Sequence, residues 1–169
     1  MAGSARSDSE TVLASSHVTA LASSAGGGPA VRRGLLKQRL KLADGELAAV
    51  RRRVLYLDGE PFNTNDSYFP LAMVQNTEIM RPADIARGAN EVLAEAGYPQ
   101  VRLLDEIYAR MPSPDEIQRL KLAPGTPISC HICTGVCPDG TPVRVVVNIL
   151  PGDRHVIVYE RNGMNTDER

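Results

Sequence analysis

Tryptophan is absent from this 169-residue chain, and phenylalanine and tyrosine together supply only 4% of it. So few rings cannot build a platform on which nucleic-acid bases stack. A surplus of one charge is also missing. Nineteen Lys and Arg stand against 20 Asp and Glu, for a net charge of −1. A dedicated nucleic-acid surface would be basic. No apolar run reaches the roughly 18 residues that a membrane-spanning helix needs, so none is expected. The N-terminus has no charged start followed by an apolar core, and no signal peptide is expected either. The three cysteines are odd in number and form no pairing framework, which suggests a reducing cytoplasm. Nucleophile elbow, phosphate loop and dinucleotide fingerprint are all lacking. Hydrolases of the α/β type, nucleotide enzymes and dehydrogenases are therefore set aside. What remains is one domain of ordinary size, 43% hydrophobic and 23% charged.

The chain then says one thing twice. Arg39–Ala43 (RLKLA) is followed by Gly45, an extended run to the turn Asp58–Pro61 (DGEP), and a second run closing at Pro70. Arg119–Ala123 (RLKLA) is followed by Gly125, a run to Asp139–Pro142 (DGTP), and a second run closing at Pro151. The step is 80 residues at the start (119 − 39) and 81 at the turn (139 − 58), so the second copy's first strand carries one extra residue. This is an internal duplication. In each copy the leading segment reads as a helix, through Leu35, Leu36, Leu40 and Leu42 in one and Ile117, Leu120 and Leu122 in the other. Ser113, Pro114 and Glu116 form a helix start of the capping-box kind. Gly45 and Gly125 are placed to stop the helices, and Asp-Gly is a hairpin signal. The repeating unit is helix, strand, hairpin, strand. Two units can share one mainly antiparallel sheet with helices on one face, an α+β fold.

Around the duplication, 1–10 reads as a polar disordered tail, Thr11–Ala22 as a strand and Ser23–Gly28 as a flexible loop. The spacing predicts helix one over Pro29–Leu42 and hairpin strands over Leu47–Leu57 and Phe62–Phe69. A short helical or irregular link, Leu71–Met80, leads to a helix opening at Arg81–Asp84 and stopping at Gly97. A strand over Val101–Met111 and the last long helix, Ser113–Leu122, precede hairpin strands over Ile128–Cys137 and Val143–Leu150. His155–Tyr159 is expected as a closing strand, and the tail from Asn162 as frayed. The domain is thus placed at 11–160, with tails at 1–10 and 161–169.

In order and at this spacing, several short motifs carry a family resemblance: Val50–Val54 (VRRRV), Asp58–Pro61, Asp66–Pro70 (DSYFP), Leu122–Pro127 (LAPGTP), Asp139–Val143 (DGTPV) and Gly152–Arg154 (GDR). From about Thr11 to Glu160 the chain resembles the UTRA domain, the effector-binding half of the HutC branch of GntR-type transcription regulators. The resemblance implies a chorismate-lyase-like antiparallel sheet with helices packed on it, a ligand cleft beside the sheet, homodimerisation and no cofactor. Small molecules such as sugar phosphates, amino-acid catabolites or fatty acids would be the effectors. The sequence departs from the family in three respects. Nothing before Thr11 could form the winged helix of a complete regulator. Arg144 stands where sugar-phosphate sensors have an acid, and Asn65 stands where another acid is common. Loss of both acids argues against an amino-sugar ligand and for one with more negative charge, or with no positive charge to neutralise.

The candidate site follows. Arg51 and Arg53, two apart on a strand, point the same way and can clamp a carboxylate or phosphate. Arg52 points the other way. Asn65, Ser67 and Tyr68 follow the turn. A two-residue turn would pair Arg53 with Thr64, and a bulged one would shift the pairing by one; the family pattern favours Asn65 and Ser67. The second copy offers Arg144, Asn148, His131 and Tyr159, with His131 equivalent to Arg51. Solvated outward-facing polar residues are the plain alternative for each. Cys130, Cys133 and Cys137 have no second pair, and the first two point to opposite faces, so they are expected as small buried residues rather than a metal site. Two functions compete: a small-molecule sensor without its DNA-binding part, or a cofactor-free lyase, cyclase or isomerase of a small carboxylated metabolite in biosynthesis. In the second, Arg51 and Arg53 would hold the substrate, and His131, Asp66 or Tyr68 would move the proton.

Overall fold

The computed structural model describes residues 12–22, as backbone, and 33–160. The polar tails, the loop 23–28 and the start of helix one lie outside the described residues. Six strands make one sheet: β1 (Val12–Ala22), β2 (Leu47–Leu57), β3 (Glu60–Pro70), β4 (Arg102–Arg110), β5 (Ile128–Val136) and β6 (Pro142–Pro151), in the order β1-β2-β3-β6-β5-β4. Every neighbouring pair is antiparallel. The helices are α1 (Arg33–Leu40), α2 (Leu71–Val74), α3 (Ala89–Glu95) and α4 (Pro114–Leu120), with a 3₁₀ turn at Glu78–Met80.

The duplication becomes an approximate two-fold. The two hairpins meet at β3 and β6, where Asp66 lies opposite Val147. These two residues are 81 apart (147 − 66), so they hold the same place in the two copies. Helix α1 lies mainly over β6 and α4 over β3, each covering a strand of the other copy. They bury Leu40, Leu120 and Leu122 against Val50, Tyr68, Ile128, Cys130, Ile132, Val145, Val147 and Ile149. Alternation along each strand explains this face, since every second side chain points to it. At about 25 cal/mol per Å² of apolar surface, such a core is the main source of stability.

Three expectations change. Helices lie on both faces: residues 71–98 cross the opposite side, where Val74, Ile79, Val92 and Leu93 pack on Ala49 and Phe69. The helix expected from Arg81 begins only at Ala89. The buried guanidinium of Arg51 takes the carbonyls of Ile79, Arg81 and Ala83, which a helix would need for its own ladder. His155–Tyr159 forms no strand. Both sides of β6 are already occupied, so the chain leaving it has no free edge beside it. It is turned away by Arg154, which donates to the Pro61 carbonyl, and by His155 stacked on Phe62 with ring centroids 4.2 Å apart.

Helix ends are also set differently. In both copies the lysine after the last helical leucine takes positive φ, Lys41 at 52° and Lys121 at 48°. Gly45 and Gly125 serve the turn that follows.

Candidate functional site

The face opposite α1 and α4 is polar over its middle. Odd-numbered positions of β2 and β3 point there, because Val50 and Tyr68 are committed to the helix side. Asp58 and Gly59 both have positive φ, as a two-residue hairpin turn requires. On its own that turn would set Arg53 against Thr64. A bulge between Leu55 and Tyr56 moves the partner, so Leu55 faces Asn63, Val54 faces Thr64 and Arg51 faces Ser67. Arg53 therefore reaches Asn65, donating to its Oδ1 at 2.7 Å.

A cleft of about 310 Å³ opens between this face and residues 85–90. Arg51, Arg53, Arg144, Ser67, Phe69 and Asn90 are among its walls. Arg144 donates to Ser67 Oγ at 2.9 Å and to Asn90 Oδ1 at 2.8 Å, with its guanidinium 5.6 Å from the Phe69 ring centroid. Gln100 also donates to Asn90 Oδ1. Gly135 makes room for it: a Cβ there would lie 1.8 Å from Gln100 Oε1. None of Arg51, Arg53 or Arg144 has a carboxylate within 4 Å among the described residues, whereas Arg52, Arg87 and Arg119 each do. The Nε atoms of Arg53 and Arg144 are buried without any partner. Burial, then the neighbouring Arg53, lowers the Arg144 pKa to about 10. Burial and Arg53 also lower that of Arg51. The cluster stays cationic at neutral pH and is short of negative charge.

From Arg53 a row of side chains runs across the sheet. Asn65 Nδ2 donates to Asn148 Oδ1 at 2.7 Å, Asn148 Nδ2 lies 3.2 Å from His131 Nδ1, and His131 Nε2 lies 2.8 Å from Asp105 Oδ1. His131 holds the Asp105 carboxyl below its ordinary range, mainly through that hydrogen bond. Cys133 lies opposite Asp105 on the neighbouring strand, and burial, then that carboxylate, raises its thiol to about 11.

Arg51, Arg53, Asn65, Ser67, His131, Arg144 and Asn148 thus share one face. Tyr68 and Asp66 do not. Tyr68 is 3% exposed within the helix-side core, and burial pushes its hydroxyl up to about 12. Asp66 takes both Nη atoms of Arg119, at 2.8 and 2.9 Å. The sheet therefore separates two of the three acid–base candidates from His131. Tyr159 is 65% exposed beyond the last strand and lines no part of the cleft. Arg51 spends three of its five N–H groups on backbone carbonyls and acts as a wall rather than a free clamp. Asp105, Asn90, Gln100 and Gly135 carried no signal in the sequence, since only tertiary contacts place them here. Cys130 lies in the helix-side core and Cys133 on the polar face, while Cys137 opens the second hairpin turn.

Comparison with known proteins agrees with this architecture. The sequence profile of the UTRA domain matches residues 29–156. An HTH-type transcriptional regulator of Streptomyces coelicolor is 34% identical over 125 residues, covering 72% of this chain and 46% of the relative. The chain thus spans less than half of that relative's length. Among solved structures, a GntR-family transcriptional regulator superposes with a TM-score of 0.77 at 22% identity, over 94% of this chain and 62% of the other. The effector domain of PhnF from Mycobacterium smegmatis gives 0.70 at 17%, over 90% and 89%. The C-terminal domain of the histidine utilization repressor from Pseudomonas syringae gives 0.69 at 15%, over 89% and 100%. The profile match over residues 29–156, with the 34% identical relative beside it, shows that this chain belongs to the UTRA domain family.

Proposed function

We propose that the chain is the sensing part of a regulator and binds a small, multiply charged anion in the cleft of Arg53, Arg144 and Ser67. One observation carries this: of the four arginines that line the cavity, Arg51, Arg53 and Arg144 have no carboxylate within 4 Å among the described residues, and only Arg87 is paired. Arg53 and Arg144 each keep unused N–H donors, and a phosphate or carboxylate group accepts such donors in pairs. Asn65 and Arg144, standing where acids are common in the family, add to the preference for negative charge. The anion would also relieve the mutual repulsion of Arg144, Arg53 and Arg51. The DNA-binding output would lie in the part of the relative's length that this chain does not span.

A homodimer belongs to the same reading. Among the described residues the outer edge of β4 has no strand partner, and its Leu103 and Leu104 are 58% and 45% exposed. An open apolar edge strand of this kind favours pairing with a second copy. Self-pairing centred on Leu104 would set each Arg102 opposite the other copy's Glu106.

Calorimetric titration with inorganic phosphate and with small dicarboxylates tests the cleft, and light scattering of the eluted protein tests the dimer. Arg53→Ala and Arg144→Glu are each expected to weaken the best anion at least ten-fold, with little change in melting temperature for Arg53→Ala. Affinity unaltered by both substitutions rules the cleft out as the anion site.

A further inference from the structure

The row that leaves the cleft has a direction. An arginine only donates, so the Asn65 atom facing Arg53 has to be Oδ1. That turns Asn65 Nδ2 toward Asn148, whose facing atom has to be Oδ1, and Asn148 Nδ2 then donates to His131 Nδ1. His131 is left with a lone pair at Nδ1 and a proton at Nε2, which it gives to Asp105. A carboxylate only accepts, so the far end requires the same polarity as the near end. The four links measure 2.7, 2.7, 3.2 and 2.8 Å. Cross-strand register supports the two middle links, with Asn65 opposite Asn148 and Asn148 opposite His131, while His131 reaches Asp105 diagonally, two residues from its own partner Ile107. Ion-only termini at both ends leave one arrangement of two amides and one imidazole.

We propose that His131, Asn148 and Asn65, anchored by Asp105, are positioning residues that couple the proton on His131 Nδ1 to the orientation of Arg53 in the anion cleft. This rests on the anion reading above for its functional meaning, though not for its geometry. Adding a proton to His131 Nδ1 places a donor against Asn148 Nδ2. Asn148 turns its amide over, Asn65 follows, and the Asn65 amide nitrogen then faces Arg53. Two donors meet, so Arg53 loses its acceptor and its guanidinium is released toward the cleft. In the other direction, an anion that draws Arg53 off Asn65 frees both amides to turn. The charged and titratable groups around His131 are few: Asp105 from β4, Cys133 on its own strand opposite Asp105, and Arg144 from β6 beyond Cys133. Asn148 is the neutral neighbour from β6.

Side-chain ¹⁵N spectra of the whole chain test the relay, with His131→Gln identifying the signal among the three histidines. The neutral ring of the wild type is expected to carry its proton at Nε2. Asn65→Asp puts an acceptor at position 65, so Asn148 presents Nδ2 to it and Oδ1 to the ring. His131 Nδ1 is then expected to gain a proton. In Asn65→Asp combined with Asn148→Ala the link is cut, and Nδ1 is expected to return to the unprotonated state. A wild-type ring protonated at Nδ1, or a double variant identical to the single one, overturns the relay. Added sulfate is expected to move the His131 resonances in the wild type and leave them still in Asn148→Ala; equal movement in both also overturns it. The tautomer measurements use no anion, so their outcome stands apart from the anion reading. If sulfate and phosphate fail to bind at all, that reading falls while the tautomers still decide the relay.

Discussion

Residue by residue, the two neighbouring arginines on β2 have different work. Arg51 is 3% exposed and satisfies three backbone carbonyls of the segment that roofs the cleft. Arg51→Ala leaves those carbonyls without donors and is expected to cost about 2–4 kcal/mol in a denaturant titration, with the 79–83 segment losing amide protection first. A stability loss no greater than that of Arg53→Ala would show that the carbonyl contacts carry little. Asp66 makes the opposite case. Its side chain is 6% exposed and gripped by Arg119, so Asp66→Asn is expected to lose roughly 3 kcal/mol and to leave anion affinity unchanged. A weakened affinity at normal stability would instead return Asp66 to the site. Position alone separated these roles, because the sequence offers Arg51 as a clamp and Asp66 as a proton carrier for the same cleft.

Among the elements, α4 shows how local chemistry is readable in advance. Ser113 Oγ accepts from the Glu116 N–H, and Glu116 returns a bond to the Ser113 N–H at 2.7 Å, so the capping box forms as the spacing predicts. Tertiary contact adds a bidentate pair from Arg110, at 2.7 and 2.8 Å. Burial opposes ionisation of Glu116, but Arg110 and the Ser113 N–H outweigh it and hold the carboxyl below its ordinary value. A depressed acid stabilises the fold above its ordinary range, and that contribution disappears as pH falls through the depressed value. The melting temperature is therefore expected to drop below about pH 4. In Glu116→Gln the loss of roughly 3 kcal/mol is expected to be present already at neutral pH, with a shallower acid slope. Identical acid slopes in both proteins would assign the drop to other carboxylates. The hairpins were legible too, since Asp-Gly names its turn. The bulge opposite Leu55 and Tyr56 was not, as nothing in the local residues demands it, and it decides which polar side chains meet Arg53.

At the scale of the molecule, balanced charge hides an uneven distribution. The net charge is −1, yet the cleft gathers four arginines, of which only Arg87 has a carboxylate within 4 Å among the described residues. An anion should raise the melting temperature by mass action. That shift is expected to shrink when NaCl rises from about 0.05 to 0.5 M, because salt screens and competes at a partly open cationic site. A salt-independent shift would place the anion elsewhere or make its binding non-electrostatic.

Sequence alone determined the duplication, the strands and helices of the two repeated units, the antiparallel hairpins and the pairing of Arg51 with Arg53 on one side of a strand. All of these depend on periodicity and turn chemistry within a few residues. Tertiary structure decided the rest: that residues 71–98 cross the polar face, that Arg51 is consumed by their carbonyls, that Asp66 and Tyr68 lie behind the sheet, and that His131 ends a row leading to Asp105. Those outcomes depend on which distant carbonyl, carboxylate or amide arrives beside each side chain. Only the packed sheet settles that, because hydrogen bonds and charges act over a few ångströms of space whatever their separation along the chain.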